Sequence, residues 1–76
     1  MNEYARWAEE YKKSAEITKE KIDELERRRS RSRSVAEQDE ISGKLLTLYE
    51  MYGDCILSYR ELMKKALRVQ EGTTWN

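Results

Sequence analysis

The sequence predicts an all-α protein, an antiparallel hairpin of two long helices. Three observations carry this. Apolar or small residues recur at alternating steps of four and three along 4–25 and again along 41–69, the rhythm of a packed helical seam. Pro is absent, while Glu, Lys, Arg, Ala and Leu dominate, which is the composition of long helices. Between the two stretches lies one break in pattern, Arg27-Arg28-Arg29-Ser30-Arg31-Ser32-Arg33-Ser34. A short link of this kind makes its flanking helices antiparallel neighbours.

The first helix is predicted over about residues 3–29. Its seam is Tyr4, Ala8, Tyr11, Ala15, Thr18, Ile22 and Leu25, widened at the start by Trp7. Asn2 is placed to cap it, and Glu3 puts a negative charge in the first turn, where the helix dipole favours one. Glu9–Lys13, Asp23–Arg27 and Glu24–Arg28 stand acid before base at i,i+4, each expected to add a few tenths of a kcal/mol. Residues 30–34 are read as the turn.

The second helix is predicted over about 35–70. Ser34-Val35-Ala36-Glu37 reads as a capping box, with Ser34 accepting from the Glu37 backbone and Glu37 reaching back. The seam runs Ile41, Leu45, Leu48, Tyr52, Cys55, Tyr59, Leu62, Ala66 and Val69, and a second row runs beside it: Leu45, Tyr49, Tyr52, Ile56, Tyr59, Met63 and Ala66. Acids gather early and bases late, as a helix dipole prefers. Gly43 and Gly53 are the two possible breaks, and a mid-helix Gly costs about 1 kcal/mol against Ala. The seam crosses Gly53 in phase, so a continuous helix is expected, with Gly53 permitting close approach of a neighbour. Gly72 is a stop signal, and 71–76 are read as a tail.

Composition narrows the function. The chain is one domain of 76 residues, with 38% apolar and 39% charged residues. A chain this short buries only about 60% of the surface it exposes when unfolded. There is no His, so the commonest general base and metal ligand is missing, and the single Cys excludes an internal disulfide framework. No catalytic residue, metal ligand or cofactor site is expected, and the chain is expected not to be an enzyme. No apolar run approaches the ~20 residues of a membrane span, and the start lacks signal-peptide character. A soluble, cytoplasmic protein is expected, without membrane partners.

Fifteen basic and fifteen acidic residues cancel, but unevenly. Residues 1–26 hold five bases and eight acids, 27–34 hold five bases and no acid, and 35–76 hold five bases and seven acids. Arg27, Arg28, Arg29, Arg31 and Arg33 are therefore the candidate contact for an anion or partner, because guanidinium forks match phosphate oxygens. A nucleic acid or a nucleotide-like anion is the alternative partner this tract suggests, and a solvated turn is its plainer reading. The five Tyr are read as bundle core with hydroxyls at the rim, and Cys55 as a buried structural thiol.

An isolated two-helix hairpin has no interior. Leu46, Tyr49, Ile56, Met63 and Leu67 stand beside the second seam, more apolar surface than one facing helix shields. Helix two is also expected to outrun helix one by about ten residues, leaving Leu62, Met63, Ala66 and Leu67 uncovered. Small scaffolds need a staple, and oligomerisation is one. A homodimeric four-helix bundle is expected, with an interface of Leu45, Leu48, Tyr49, Tyr52, Ile56, Tyr59 and Met63.

The start Tyr4-Ala5-Arg6-Trp7-Ala8-Glu9-Glu10-Tyr11 and the run Leu48-Tyr49-Glu50-Met51-Tyr52-Gly53-Asp54-Cys55 resemble small two-helix proteins of phages and integrative elements of Gram-positive bacteria. The resemblance covers most of the chain and implies no catalytic or binding residue. It implies an accessory protein that works by binding, inhibitors of host defence included. The expected function is a non-enzymatic, self-associating protein–protein interaction module.

Overall fold

The computed structural model describes residues 2–70, and the expected Gly72 stop and the 71–76 tail with Trp75 lie outside them. Two helices make up the fold, α1 (Glu3–Arg31) and α2 (Val35–Gln70), packed side by side as an antiparallel hairpin. Both predicted helices form, and α2 runs unbroken through Gly43 and Gly53.

Each start is capped as its residues dictate. Asn2 is extended (φ −92°, ψ 103°) and its side chain accepts from the Ala5 backbone N–H at 3.3 Å. Ser34 Oγ accepts from the Glu37 N–H at 3.2 Å. The other half of that capping box is made differently. The Ser34 N–H goes to Ser32 Oγ at 3.1 Å, so Ser32 takes the part expected of Glu37.

α1 ends two residues later than its pattern suggests. The Ser32 N–H closes onto the Arg28 and Arg29 carbonyls at 3.0 and 3.3 Å, and Ser32 itself turns extended. Gln38 Nε2 donates to the Ser32 carbonyl at 2.7 Å, tying the turn to α2. The turn is thus Ser32 to Ser34, shorter than the expected 30–34. The helix continues because Ser30 and Arg31 still have carbonyl partners one turn back, and no Pro or Gly interrupts them.

The core sits toward the turn. Ile22, Leu25, Ile41 and Leu45 form its buried cluster, with Leu48 and Tyr52 packed against it. Toward the open end α1 buries only small side chains, Ala8, Ala15 and Thr18. The Thr18 hydroxyl donates to the Ser14 carbonyl at 2.8 Å, which lets a polar residue sit on the seam. The open end is closed by Asn2 Nδ2, which donates to the Ala66 carbonyl at 2.9 Å. Lys65 Nζ lies 5.8 Å from the centre of the Tyr4 ring, a second tie at that end.

These ties correct the expected overhang. Asn2 stands level with Ala66, so only the last turn of α2 passes beyond α1. Ala66 is 4% exposed, and Leu62 and Met63 are half-buried rather than uncovered. Val69, at the end of the seam, lies past Asn2 and is exposed. The expected ion pairs Glu9–Lys13, Asp23–Arg27 and Glu24–Arg28 are not closed among the described residues. Asp23 is instead held by Lys19 at 2.9 Å, and Glu40–Lys44 and Glu61–Lys64 each close at 3.5 Å.

The hairpin measures 58 × 18 × 12 Å. The shortest dimension is that of one helix with its side chains. The fold is therefore a single layer with two broad faces open to solvent.

Candidate interaction surface

α1 covers only part of the apolar surface of α2. Of the seven residues expected at an oligomer interface, Leu45 is 2% exposed inside the core, and Leu48 and Tyr52 pack against it. That takes Leu45 out of the surface open to a second chain. Tyr59 is half-buried on the inner seam. Tyr49, Ile56 and Met63 stand outside that seam: Tyr49 is exposed, and the other two are half-buried.

These three belong to a longer row, Leu46, Tyr49, Gly53, Ile56, Arg60, Met63 and Leu67. Each member directly follows a residue of the inner seam. The row therefore lies one helical step, about 100°, around α2 from the surface that meets α1. It keeps the same alternation of three and four without a break. Leu46 and Leu67 are 64% and 51% exposed. Gly53 is its third member, near the midpoint of α2, and a Cβ built there meets nothing within 4 Å. Gly53 is expected to permit close approach of a neighbouring helix, and within the hairpin α1 does not need the missing side chain.

Tyr49 is anchored across the hairpin, its hydroxyl donating to the Glu26 carboxylate. That hydrogen bond, with burial second, raises the Tyr49 phenol above its ordinary value of 10.0. Lys19 is raised as well, chiefly by its hydrogen bond and charge attraction to Asp23.

The opposite broad face carries a groove of about 720 Å³ between Trp7, Tyr11 and Ser14 of α1 and Leu57, Ser58 and Leu62 of α2. Trp7 is steadied by an edge-on contact with Tyr4, ring centres 5.9 Å apart at 87°. Leu57 is 61% exposed and went unnoticed in the sequence because it lies on neither row. The signal that finds it is that very isolation: an apolar residue one turn below Glu61, on a side of α2 otherwise charged.

The arginines do not converge. Arg27 and Arg31, one turn apart, share a shallow depression with Asp23, Glu26 and Ser30. A phosphate entering it meets two carboxylates. Arg29 turns the other way, its Nη1 donating to Ser42 Oγ on α2 at 3.2 Å. Arg28 and Arg33 are exposed. Helix continuation through Arg31 causes this dispersal, since consecutive helical residues point about 100° apart.

Cys55 is a free thiol and half-buried rather than fully buried. Among the described residues no group of three or more acidic, His or Cys side chains could hold a metal ion, and no helix is long and apolar enough to cross a membrane. Comparison with known proteins yields no relative: no family model, no curated protein and no solved structure matches the chain.

Proposed function

We propose that this chain is a non-enzymatic protein–protein interaction module that self-associates through α2. The observation that carries the reading is the unbroken outer row of α2, on which Leu46, Tyr49 and Leu67 are exposed and Ile56 and Met63 only half-buried. Helix-face recognition of this kind reads anchors at i, i+3, i+4 and i+7 and needs no pocket. The second open face, with Trp7, Tyr11 and Leu57, offers aromatic and aliphatic anchors to a target while the first is occupied. An accessory protein of a mobile element, acting by binding and blocking a host component, fits such a two-faced hairpin.

Ile56→Glu tests this reading. Ile56 flanks the inner seam without joining the Ile22–Leu45 cluster, so the variant is expected to keep its helicity. A carboxylate in the middle of a packed helix pair costs several kcal/mol when it cannot reach water. The variant is expected to sediment as a monomer where the wild type is larger. An Ile56→Glu protein that self-associates like wild type would remove the outer row from the account.

A further inference from the structure

The proposed self-association leaves open how two copies meet, and the inference here rests on that reading. We propose that a second copy packs on the outer row with its α2 antiparallel, the two helices crossing at Gly53.

The position of Gly53 is the first argument. A mid-helix glycine weakens a helix, and the hairpin has no use for this one, since a Cβ there meets nothing within 4 Å. It lies on the outer row near the midpoint of α2, with Leu46 and Tyr49 before it and Ile56, Arg60, Met63 and Leu67 after it. At a crossing of two helices, a missing side chain lets the axes approach toward the short end of the usual 8–10 Å range. A twofold crossing places the same residue of both chains at the axis. Gly53 is the member of the row that suits that point.

Charge along α2 supplies the second argument and fixes the direction. Residues 35–52 carry four acids (Glu37, Asp39, Glu40, Glu50) and one base (Lys44), net −3. Residues 53–70 carry four bases (Arg60, Lys64, Lys65, Arg68) and two acids (Asp54, Glu61), net +2. A parallel pair sets each half against its like. An antiparallel pair sets the acidic half of each chain against the basic half of the other. With Gly53 at the axis, Leu46 faces Arg60 of the second copy. Glu50 of that copy then lies one turn from the Arg60 of the first, within reach of a guanidinium. Arg60 is the one charge on the outer row, and the antiparallel register is what gives it an acidic neighbour.

Single cysteines in a Cys55→Ala background read this geometry. A disulfide needs Cα atoms within about 7 Å. In the antiparallel pair Gly53→Cys meets its own copy. Leu46→Cys lies about 21 Å of helix from its own copy but opposite Arg60→Cys. Under mild oxidation Gly53→Cys is expected to form a covalent dimer, Leu46→Cys alone to stay uncrosslinked, and an equimolar mixture of Leu46→Cys with Arg60→Cys to form the mixed dimer. All three sites lie off the Ile22–Leu45 cluster, and circular dichroism confirms that each variant folds. If the added side chain at 53 pushes the helices apart, the mixed 46–60 dimer still reads the register. Crosslinking of Leu46→Cys to itself would mean a parallel pair and overturn the proposal. A dimer by sedimentation in which neither Gly53→Cys alone nor the 46–60 mixture crosslinks would overturn the register while leaving self-association standing. A wild-type protein that sediments as a monomer at micromolar concentration would overturn both.

Discussion

Asn2 binds both helices at once: its Oδ1 accepts from the Ala5 N–H of α1 and its Nδ2 donates to the Ala66 carbonyl of α2. One side chain thus caps α1 and closes the open end of the hairpin, where the seam of α1 offers little but alanine.

The two bonds can be separated. Asn2→Asp keeps the acceptor and loses the donor, and sets a carboxylate beside the Ala66 carbonyl. It is expected to lose about 1 kcal/mol, the net worth of one hydrogen bond. Asn2→Ala loses both and is expected to lose about 1–2 kcal/mol. Thermal melts at fixed concentration check the order, and equal stability of Asn2→Asp and wild type would show that the Ala66 bond contributes nothing.

The packing near the turn carries more. Leu45→Ala leaves a hole among Ile22, Leu25 and Ile41 and is expected to cost about 2–5 kcal/mol. Val35→Ala, at a residue 72% exposed, is expected to change stability by less than about 0.5 kcal/mol. Denaturant unfolding of the two variants side by side tests where the core lies.

Tyr49 gives a pH signature. Its folded phenol is raised by the Glu26 hydrogen bond above the unfolded value of 10.0. The contribution is therefore complete below that unfolded value and is lost as the pH climbs through the raised folded one. Followed by tyrosinate absorbance, a late-ionising phenol is expected in the wild type, absent in Tyr49→Phe and shifted back toward the ordinary value in Glu26→Gln. A late step that persists in Tyr49→Phe would place it on another tyrosine.

The arginines are expected to be separable from the fold. Replacing Arg27, Arg28, Arg29, Arg31 and Arg33 by Gln removes exposed or half-exposed charges worth less than about 1 kcal/mol apiece. Helicity and oligomeric state are expected to persist. Steeply salt-dependent binding of a phosphate-bearing ligand by the wild type, lost in this variant, would favour the anion-binding alternative over helix-face recognition.

Much of this fold is legible in the sequence because heptad spacing and caps are local signals. Asn2 and Ser34 cap as their residue types suggest, and both seams face inward as their intervals suggest except at Tyr11 and Val69, which are exposed. The end of α1 was not legible. A Ser/Arg tract reads as turn, yet Ser32 completes a helical bond and only then caps. The division of the α2 surface was not legible either. Leu45, Tyr49, Tyr52 and Ile56 look like one face, and only the packing of Ile22 and Leu25 on Leu45 shows where the inside ends and the free row begins. Gly53 and Arg60 hid that row, since neither counts as apolar. Leu57 was missed for the opposite reason, being apolar with no periodic company.

Sedimentation equilibrium of the wild-type chain, over a concentration series at micromolar protein, reads self-association through α2. The mass is expected to rise to twice the 9.1 kDa of one chain. A constant mass of one chain across the series, with full helicity and a cooperative melt, would contradict it, because the outer row of α2 would then be stable uncovered in water.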